Sequence, residues 1–221
     1  HRGPFTAWTG IRMETNELHR GRLIDHLQLV VRDLEASYRF YEAVFKVLEI
    51  PIGDKNAEYF WADELFVSTA DSKAAHGELT GRVHLAFQAK DRATVDAFHK
   101  AGIRVVMDVV YNHTFAKEMF DPITSKYYTA TDLSGTGNSI DADQPMVSRM
   151  IQDSLEYWAR EYNIDGFRFD LIGIFSYAEV QKWADNLNTK FPDRNLLIYG
   201  EPWNGYATDT KEAQRVRLGT I

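Results

Sequence analysis

Three stretches in the second half of the chain decide its fold: GIRVVMDVVYNHT at residues 102–114, DGFRFDLIG at 165–173 and YGEPW at 199–203. Residues 103–110 form a nearly continuous apolar run, which is typical of a strand buried on both faces of a parallel sheet. Helical patterns at 145–162 and 177–187 separate this run from strand-like segments at 166–171 and 196–200. The alternation predicts βαβ units and a parallel sheet.

Each predicted strand in this half ends in a cluster of polar or aromatic side chains: Asp108, Asn112 and His113; Arg168 and Asp170; Glu201 and Trp203. Neighbouring parallel strands lie about 4.8 Å apart. Carboxylates at adjacent strand ends can therefore meet at about 5–5.5 Å, the separation that a retaining glycosidase uses. The alternative is that these residues are caps and loop polar groups of an ordinary α/β sheet.

In the glycosidase interpretation, Asp170 attacks the anomeric carbon and a protonated Glu201 donates to the leaving oxygen. Arg168 lies two residues before Asp170 on the same face of the strand and keeps that carboxylate ionised by charge pairing. The other side chains are predicted to bind substrate, by hydrogen bonds from Asn112 and His113 and by ring stacking on Trp203 or Tyr111.

These stretches resemble conserved regions of the alpha-amylase superfamily, and more narrowly of its type I pullulanase branch. SGTGN at 134–138 and the helix QPMVSRMIQDSLEYWAREY at 144–162 also resemble that branch. The resemblance covers about residues 102–221 and implies an alpha-glucan substrate. It implies that Asp170 is the nucleophile and Glu201 the acid/base. It also implies that Arg168, Asn112 and His113 contact the substrate and that Asp108 is a structural or subsite residue.

The same resemblance implies a barrel of eight strands, of which these residues supply the equivalents of roughly the third, fourth and fifth. The family's transition-state-stabilising His–Asp pair lies beyond Ile221. A catalytic pair needs sub-ångström support from the side chains around it. We therefore expect intact motifs with negligible activity.

The first half of the chain has a different order of predicted strands and helices. IDHLQLVVR at 24–32 predicts a strand, and DLEASYRFYEAVFKVL at 33–48 predicts a helix with one apolar stripe and Asp33 as its N-cap. Further elements are predicted along this half: strands at 48–52, 58–62, 65–69 and 82–89, and a helix at 91–101.

These segments resemble the vicinal oxygen chelate superfamily, which includes glyoxalases, ring-cleaving dioxygenases and resistance proteins, over about residues 22–102. The resemblance implies that His26 and His84 begin equivalent strands of a cup and bind a divalent metal, for which neutral imidazoles are suitable ligands. A carboxylate ligand is expected on a last strand that is missing. Two histidines alone bind a divalent metal weakly, so ordinary strand histidines are the alternative.

Composition excludes several classes of function. The 25 Lys+Arg against 32 Asp+Glu give a net charge of −7, which argues against a nucleic-acid partner. The absence of cysteine excludes disulfides, thiolate metal sites and thiol nucleophiles. Apolar stretches fall short of the roughly 18 residues of a membrane span, and the opening HRGPFTAW has no signal core. We predict a cytoplasmic protein without a membrane partner.

Together these patterns predict a mixed α/β chimera, a partial vicinal-oxygen-chelate βαβββ sheet joined to a partial (β/α) barrel. Its predicted parts are a lead-in, a glyoxalase-like partial domain and an alpha-amylase-like partial barrel, at 1–22, 23–101 and 102–221. Because cut domains expose sheet edges, either strand 103–110 should extend the first sheet or two copies should form a homodimer. Three functions stay open: a fold without efficient native activity, an alpha-glucan hydrolase, and a metal-dependent lyase, dioxygenase or sequestering module.

Overall fold

The chain is described by a computed structural model over residues 24, 26–73, 75, 78–203 and 215–216. It divides into two compact units, His1–Ala101 and Gly102–Ile221, which we call unit 1 and unit 2. The lead-in predicted over 1–22 lies outside the described residues. Within the described ranges each unit combines helices with a three-stranded sheet, which confirms the mixed α/β class.

Unit 1 packs a helix against a small mixed sheet. Its elements are β1 Leu27–Val31, α1 Leu34–Leu48, β2 Tyr59–Ala62, β3 Leu65–Thr69 and α2 Arg92–Lys100. The central strand β3 pairs in parallel with β1 and antiparallel with β2. Asp33 caps α1, as predicted, by accepting a 2.8 Å hydrogen bond from the Ala36 N–H. The apolar stripe of α1 buries Phe45 together with Phe60 and Val67 of the sheet.

Two strands predicted in unit 1 are wrong. Residues 48–52 do not form a strand. The segment that follows them makes one isolated antiparallel bridge to β2, between Lys55 and Phe60. Residues 82–89 are also in no strand, and all are exposed. The reason lies just before them, where the Thr80 N–H donates to the Val30 carbonyl and the Val30 N–H donates to the Thr80 hydroxyl, at 2.9 and 2.7 Å. The Thr80 hydroxyl thus takes the Val30 N–H, the group to which a strand at 82–89 would pair at this edge of β1. Because these residues have no partner strand, their β propensity is not sufficient to form a strand.

Unit 2 contains the predicted parallel sheet. Its main elements are β4 Val106–Val109, α3 Pro145–Glu161, β5 Gly166–Phe169, α4 Tyr177–Lys190 and β6 Leu197–Gly200. The strand order is β4-β5-β6, with both pairs parallel and a helix in each connection. Strand β4 therefore pairs with β5, so the expectation that residues 103–110 extend the first sheet is wrong. A βαβ connection through α3 gives β4 a parallel partner within its own unit.

The buried core of unit 2 lies between the sheet and its two helices. Phe169 of β5 stacks on Trp183 of α4 with ring centroids 5.9 Å apart, and Phe167 is fully buried in the same strand. Helix α3 contributes Ile151 and Leu155, which are also fully buried. This packing leaves alternate residues of the strands on the other face of the sheet.

Candidate functional site

The register of the parallel sheet gathers the predicted polar residues of unit 2. Asp108 of β4 is the direct partner of Arg168 in β5. The ladder continues past the strand ends, because the Asp170 N–H donates to the Val109 carbonyl at 3.0 Å and the Glu201 N–H donates to the Phe169 carbonyl at 3.1 Å. The three strand ends consequently place their side chains at one edge of the sheet.

Arg168 is the centre of this cluster, with its side chain only 9% exposed. Its Nη1 atom lies 2.8 Å from Asp108 Oδ1 and 3.7 Å from Asp170 Oδ1, while Nη2 forms a close ion pair with Glu201 Oε1. Burial by itself would lower the pKa of the guanidinium. The hydrogen bond to Asp108 and the charges of the three carboxylates outweigh that effect, so the pKa of Arg168 is raised.

Three carboxylates around one guanidinium leave an excess of negative charge at the sheet edge. The Asp108, Asp170 and Glu201 side chains are 41%, 30% and 23% exposed, so each can be reached from solvent. Asp170 and Glu201 contact the two ends of the same planar group, which brings them next to each other. This arrangement can supply a nucleophile and a proton donor to one ligand.

The Asn112 side chain contacts Asp170 from within the protein. It is fully buried, and its Nδ2 atom donates to both the Oδ2 atom and the carbonyl of Asp170, at 2.8 and 3.0 Å. Its Oδ1 atom pairs with Nδ1 of the half-buried His113 at 2.5 Å. Both polar atoms of the amide are therefore engaged by residues of the cluster, Asp170 and His113. The substrate contact expected of Asn112 stays a prediction.

The two aromatic side chains proposed to stack on a sugar ring differ in exposure. Tyr111 is directed at α3, where its hydroxyl lies 2.8 Å from Ser154 Oγ, and its ring packs against Phe169 at 5.6 Å. Burial raises the pKa of the Tyr111 hydroxyl, an effect that its hydrogen bond to Ser154 partly offsets. Tyr111 is thus partly buried against α3 and β5, and stacking on a sugar ring stays a prediction for it. Trp203 is 63% exposed and can present an indole face to a ring.

The sequence analysis did not identify two glycines that allow the segments at the ends of β5 and β6 to pack closely against each other. A Cβ atom on Gly173 would come within 2.2 Å of the Trp203 carbonyl oxygen, and one on Gly200 within 2.3 Å of the Phe169 carbonyl oxygen. Gly173 also donates its N–H to the Glu201 carbonyl at 3.3 Å. The signal was present in the motifs, since each glycine lies within three residues of a predicted catalytic carboxylate.

The two histidines of unit 1 are not assembled into a metal site. His26 precedes β1 and His84 lies in the segment that forms no strand, and both are exposed. Across the part of the chain that the structure describes, there is no group of three or more His, Asp or Glu side chains that could hold a metal ion. Because structural and catalytic metal sites use three or four protein ligands, this pair does not fit a resident metal. The described helices also include none with the length and apolar character needed to cross a bilayer.

Comparisons with known proteins find two kinds of similarity. The chain belongs to the Glyoxalase/Bleomycin resistance protein/Dioxygenase superfamily, whose family model matches residues 23–135, just over half of its length. That match begins in unit 1 and ends inside unit 2.

The chain is also similar to pullulanases, and the motifs that carry this resemblance all lie in unit 2. It is 33% identical over 133 residues to a pullulanase of Bacillus subtilis (strain 168), covering 56% of this chain and 18% of that protein. A solved pullulanase from Bacillus acidopullulyticus matches with a TM-score of 0.54 and 36% identity, over 58% of this chain and 17% of the other. The Bacillus subtilis pullulanase complexed with maltose matches with a TM-score of 0.52 and 28% identity, over 58% and 19%. The chain thus spans under a fifth of the length of these relatives.

Proposed function

We propose that the chain is a chimera that joins a glyoxalase-type half-sheet to a segment of an alpha-amylase-type barrel. Its chemical site is the carboxylate cluster of unit 2, which acts on alpha-glucans by the retaining mechanism but without efficient turnover. The observation that carries this proposal is the convergence of Asp108, Asp170 and Glu201 on the buried Arg168. The maltose complex of a matched pullulanase supports the choice of substrate class.

The residues supply each step of a double displacement. Asp170 attacks the anomeric carbon and forms a glycosyl ester, while Glu201 gives its proton to the departing glycosidic oxygen. Glu201 then removes a proton from water, which attacks the same carbon and releases the sugar from Asp170. Asn112 fixes the Asp170 side chain through its 2.8 Å hydrogen bond, so the oxygen that attacks is held in one orientation. Trp203 offers an exposed ring for stacking on a sugar.

Two features of the cluster limit the rate. Glu201 is held in an ion pair with Arg168, which binds the carboxylate, whereas proton donation requires the carboxylic acid. Asp108 and Asp170 are partly exposed, so solvent screens the charges that should stabilise an oxocarbenium-like transition state. We expect turnover well below the roughly 10 s⁻¹ that is typical of enzymes.

The test is hydrolysis of pullulan and of a nitrophenyl alpha-maltoside by the full-length chain. Asp170→Asn and Glu201→Gln should each abolish the slow release of product. Asp193→Asn is the matched control, because Asp193 is an exposed carboxylate outside the cluster and its loss should leave the rate unchanged. Activity that survives both substitutions in the cluster would overturn the proposal, as would wild-type protein without any release above a buffer blank.

A further inference from the structure

The SGTGN stretch of unit 2 forms a loop organised around one carboxylate, that of Asp132. Its Oδ1 atom accepts hydrogen bonds from the Ser139 hydroxyl at 2.8 Å and from the Gly135 N–H at 3.1 Å, and its Oδ2 atom accepts from the Gly137 N–H at 2.9 Å. Gly135 and Gly137 have φ angles of +81° and +83°. Residues with side chains rarely adopt such angles, so the loop depends on these glycines to direct both N–H groups at Asp132.

The far end of this loop is tied to the segment that follows β4. The Ile140 N–H donates to the Asn112 carbonyl at 2.9 Å, and the Asn138 side chain donates to the Thr114 carbonyl. Ser139, which is bound to Asp132, also forms a β-bridge with His113. The backbone of residues 112–114 is therefore held by residues 138–140, whose own position is set by Asp132.

Asn112 completes a path of direct contacts from Asp132 to Asp170. Its side chain is fully buried and donates two hydrogen bonds to Asp170. A buried amide in such a contact cannot shift without losing a hydrogen bond, which is costly where water cannot replace it. Displacement of the 112–114 backbone would therefore reorient the Asp170 carboxylate.

We propose that Asp132 is a positioning residue for Asp170, acting through Ser139, Asn138 and Asn112. This inference rests on the proposed function for the role of Asp170 as nucleophile. The hydrogen bonds that hold Asp170 can be measured without any turnover. Asp132 touches neither Arg168 nor Asp170 in any described contact, and it acts through the chain of hydrogen bonds. Its loss should leave the fold of unit 2 in place while releasing the Asn112 side chain.

The test uses the chain labelled uniformly with ¹⁵N and follows the side-chain amide protons of Asn112, together with the backbone amides of β5, by NMR. In Asp132→Ala, exchange of these protons with solvent should accelerate at least tenfold. Asn138→Ala should give the same effect, because it removes the hydrogen bond to Thr114. Asp132→Asn retains a side-chain oxygen as an acceptor and should restore part of the protection. Asp193→Ala, at an exposed carboxylate, is the control and should change nothing.

Backbone amide exchange of β5 separates positioning from a general loss of structure. The proposal requires that β5 keep its protection in the variants that release Asn112. Unchanged Asn112 exchange in Asp132→Ala would overturn it, and so would an equal acceleration of Asn112 and of the whole of β5. If Asp132→Ala does not fold, Asn138→Ala gives the same comparison with the carboxylate intact. Absence of glucan hydrolysis would contradict the proposed function and leave this measurement unaffected.

Discussion

Units 1 and 2 each carry predicted functional side chains, yet among the described residues only those of unit 2 are brought together. In unit 2 the residues lie on three strands that pair in one parallel register, and their carboxylates converge on Arg168. In unit 1, His26 precedes a paired strand but His84 lies in a segment without strand pairing. The difference teaches that a motif becomes a site only where backbone pairing fixes the relative positions of its members.

The largest difference between the two units should be seen in the free energy of unfolding when one aromatic side chain is removed from each. Trp183 of unit 2 is fully buried and stacks on Phe169, whereas Phe87 of unit 1 is 39% exposed beside Tyr41 and Phe45. Trp183→Ala should lower the free energy of unfolding by about 3–5 kcal/mol. Phe87→Ala should cost roughly 1 kcal/mol, the scale of an exposed aromatic pair. Urea unfolding followed by circular dichroism measures both, and equal losses would contradict the comparison.

The next largest effect should come from the centre of the carboxylate cluster. Arg168→Met leaves three carboxylates without their shared counter-charge, which should cost about 2 kcal/mol because these groups are partly exposed. Arg149→Met is the matched control, since Arg149 forms an exposed ion pair with Asp153 at 2.7 Å. Loss of that pair should cost less than about 0.5 kcal/mol. Urea midpoints that fall equally in the two variants would show that Arg168 is an ordinary surface arginine.

Acidification should reveal the contribution of the Asp132 loop. The hydrogen bond from the Ser139 hydroxyl lowers the pKa of Asp132; desolvation partly opposes this effect, and the N–H groups of Gly137 and Gly135 add to it. Because the folded-state pKa lies below the unfolded value of about 3.9, Asp132 stabilises the fold above that pH. The contribution is lost as the pH falls through the folded-state pKa. Between pH 5 and pH 2 the melting temperature of the wild type should therefore fall more steeply than that of Asp132→Asn. Parallel curves would contradict this account.

The smallest effect is expected for metal addition to unit 1. Two exposed imidazoles bind a divalent ion weakly on their own, and the described residues offer no group of three ligands that includes them. Zinc titration of the wild type should therefore show no stoichiometric binding in the micromolar range, and His26→Ala combined with His84→Ala should give the same titration curve. A saturable micromolar site that disappears in the double variant would show that the two units are more alike than the described structure indicates.

The parallel sheet of unit 2 could be predicted because its signals are local. A buried apolar run, a proline at the first turn of α3 and the βαβ alternation each specify structure over a few residues. The segment at 82–89 could not be predicted correctly, because its alternating pattern satisfies strand propensity but gives no information about a partner. The same limit applies to the burial of Asn112 and to its hydrogen bond with Asp170, which no local pattern in the sequence specifies.

The central claim is that Asp170 is placed to attack an alpha-glucosyl carbon, and covalent trapping tests it most directly. The chain would be incubated with 5-fluoro-alpha-D-glucosyl fluoride, from which fluoride departs as an Asp170 oxygen forms an ester with the anomeric carbon. Intact-mass and peptide mass spectrometry should detect one adduct per chain, on the peptide that contains Asp170 and at greater yield in Glu201→Gln, where the ester is hydrolysed more slowly. Adduct on any other residue, or none after prolonged incubation, would contradict the account.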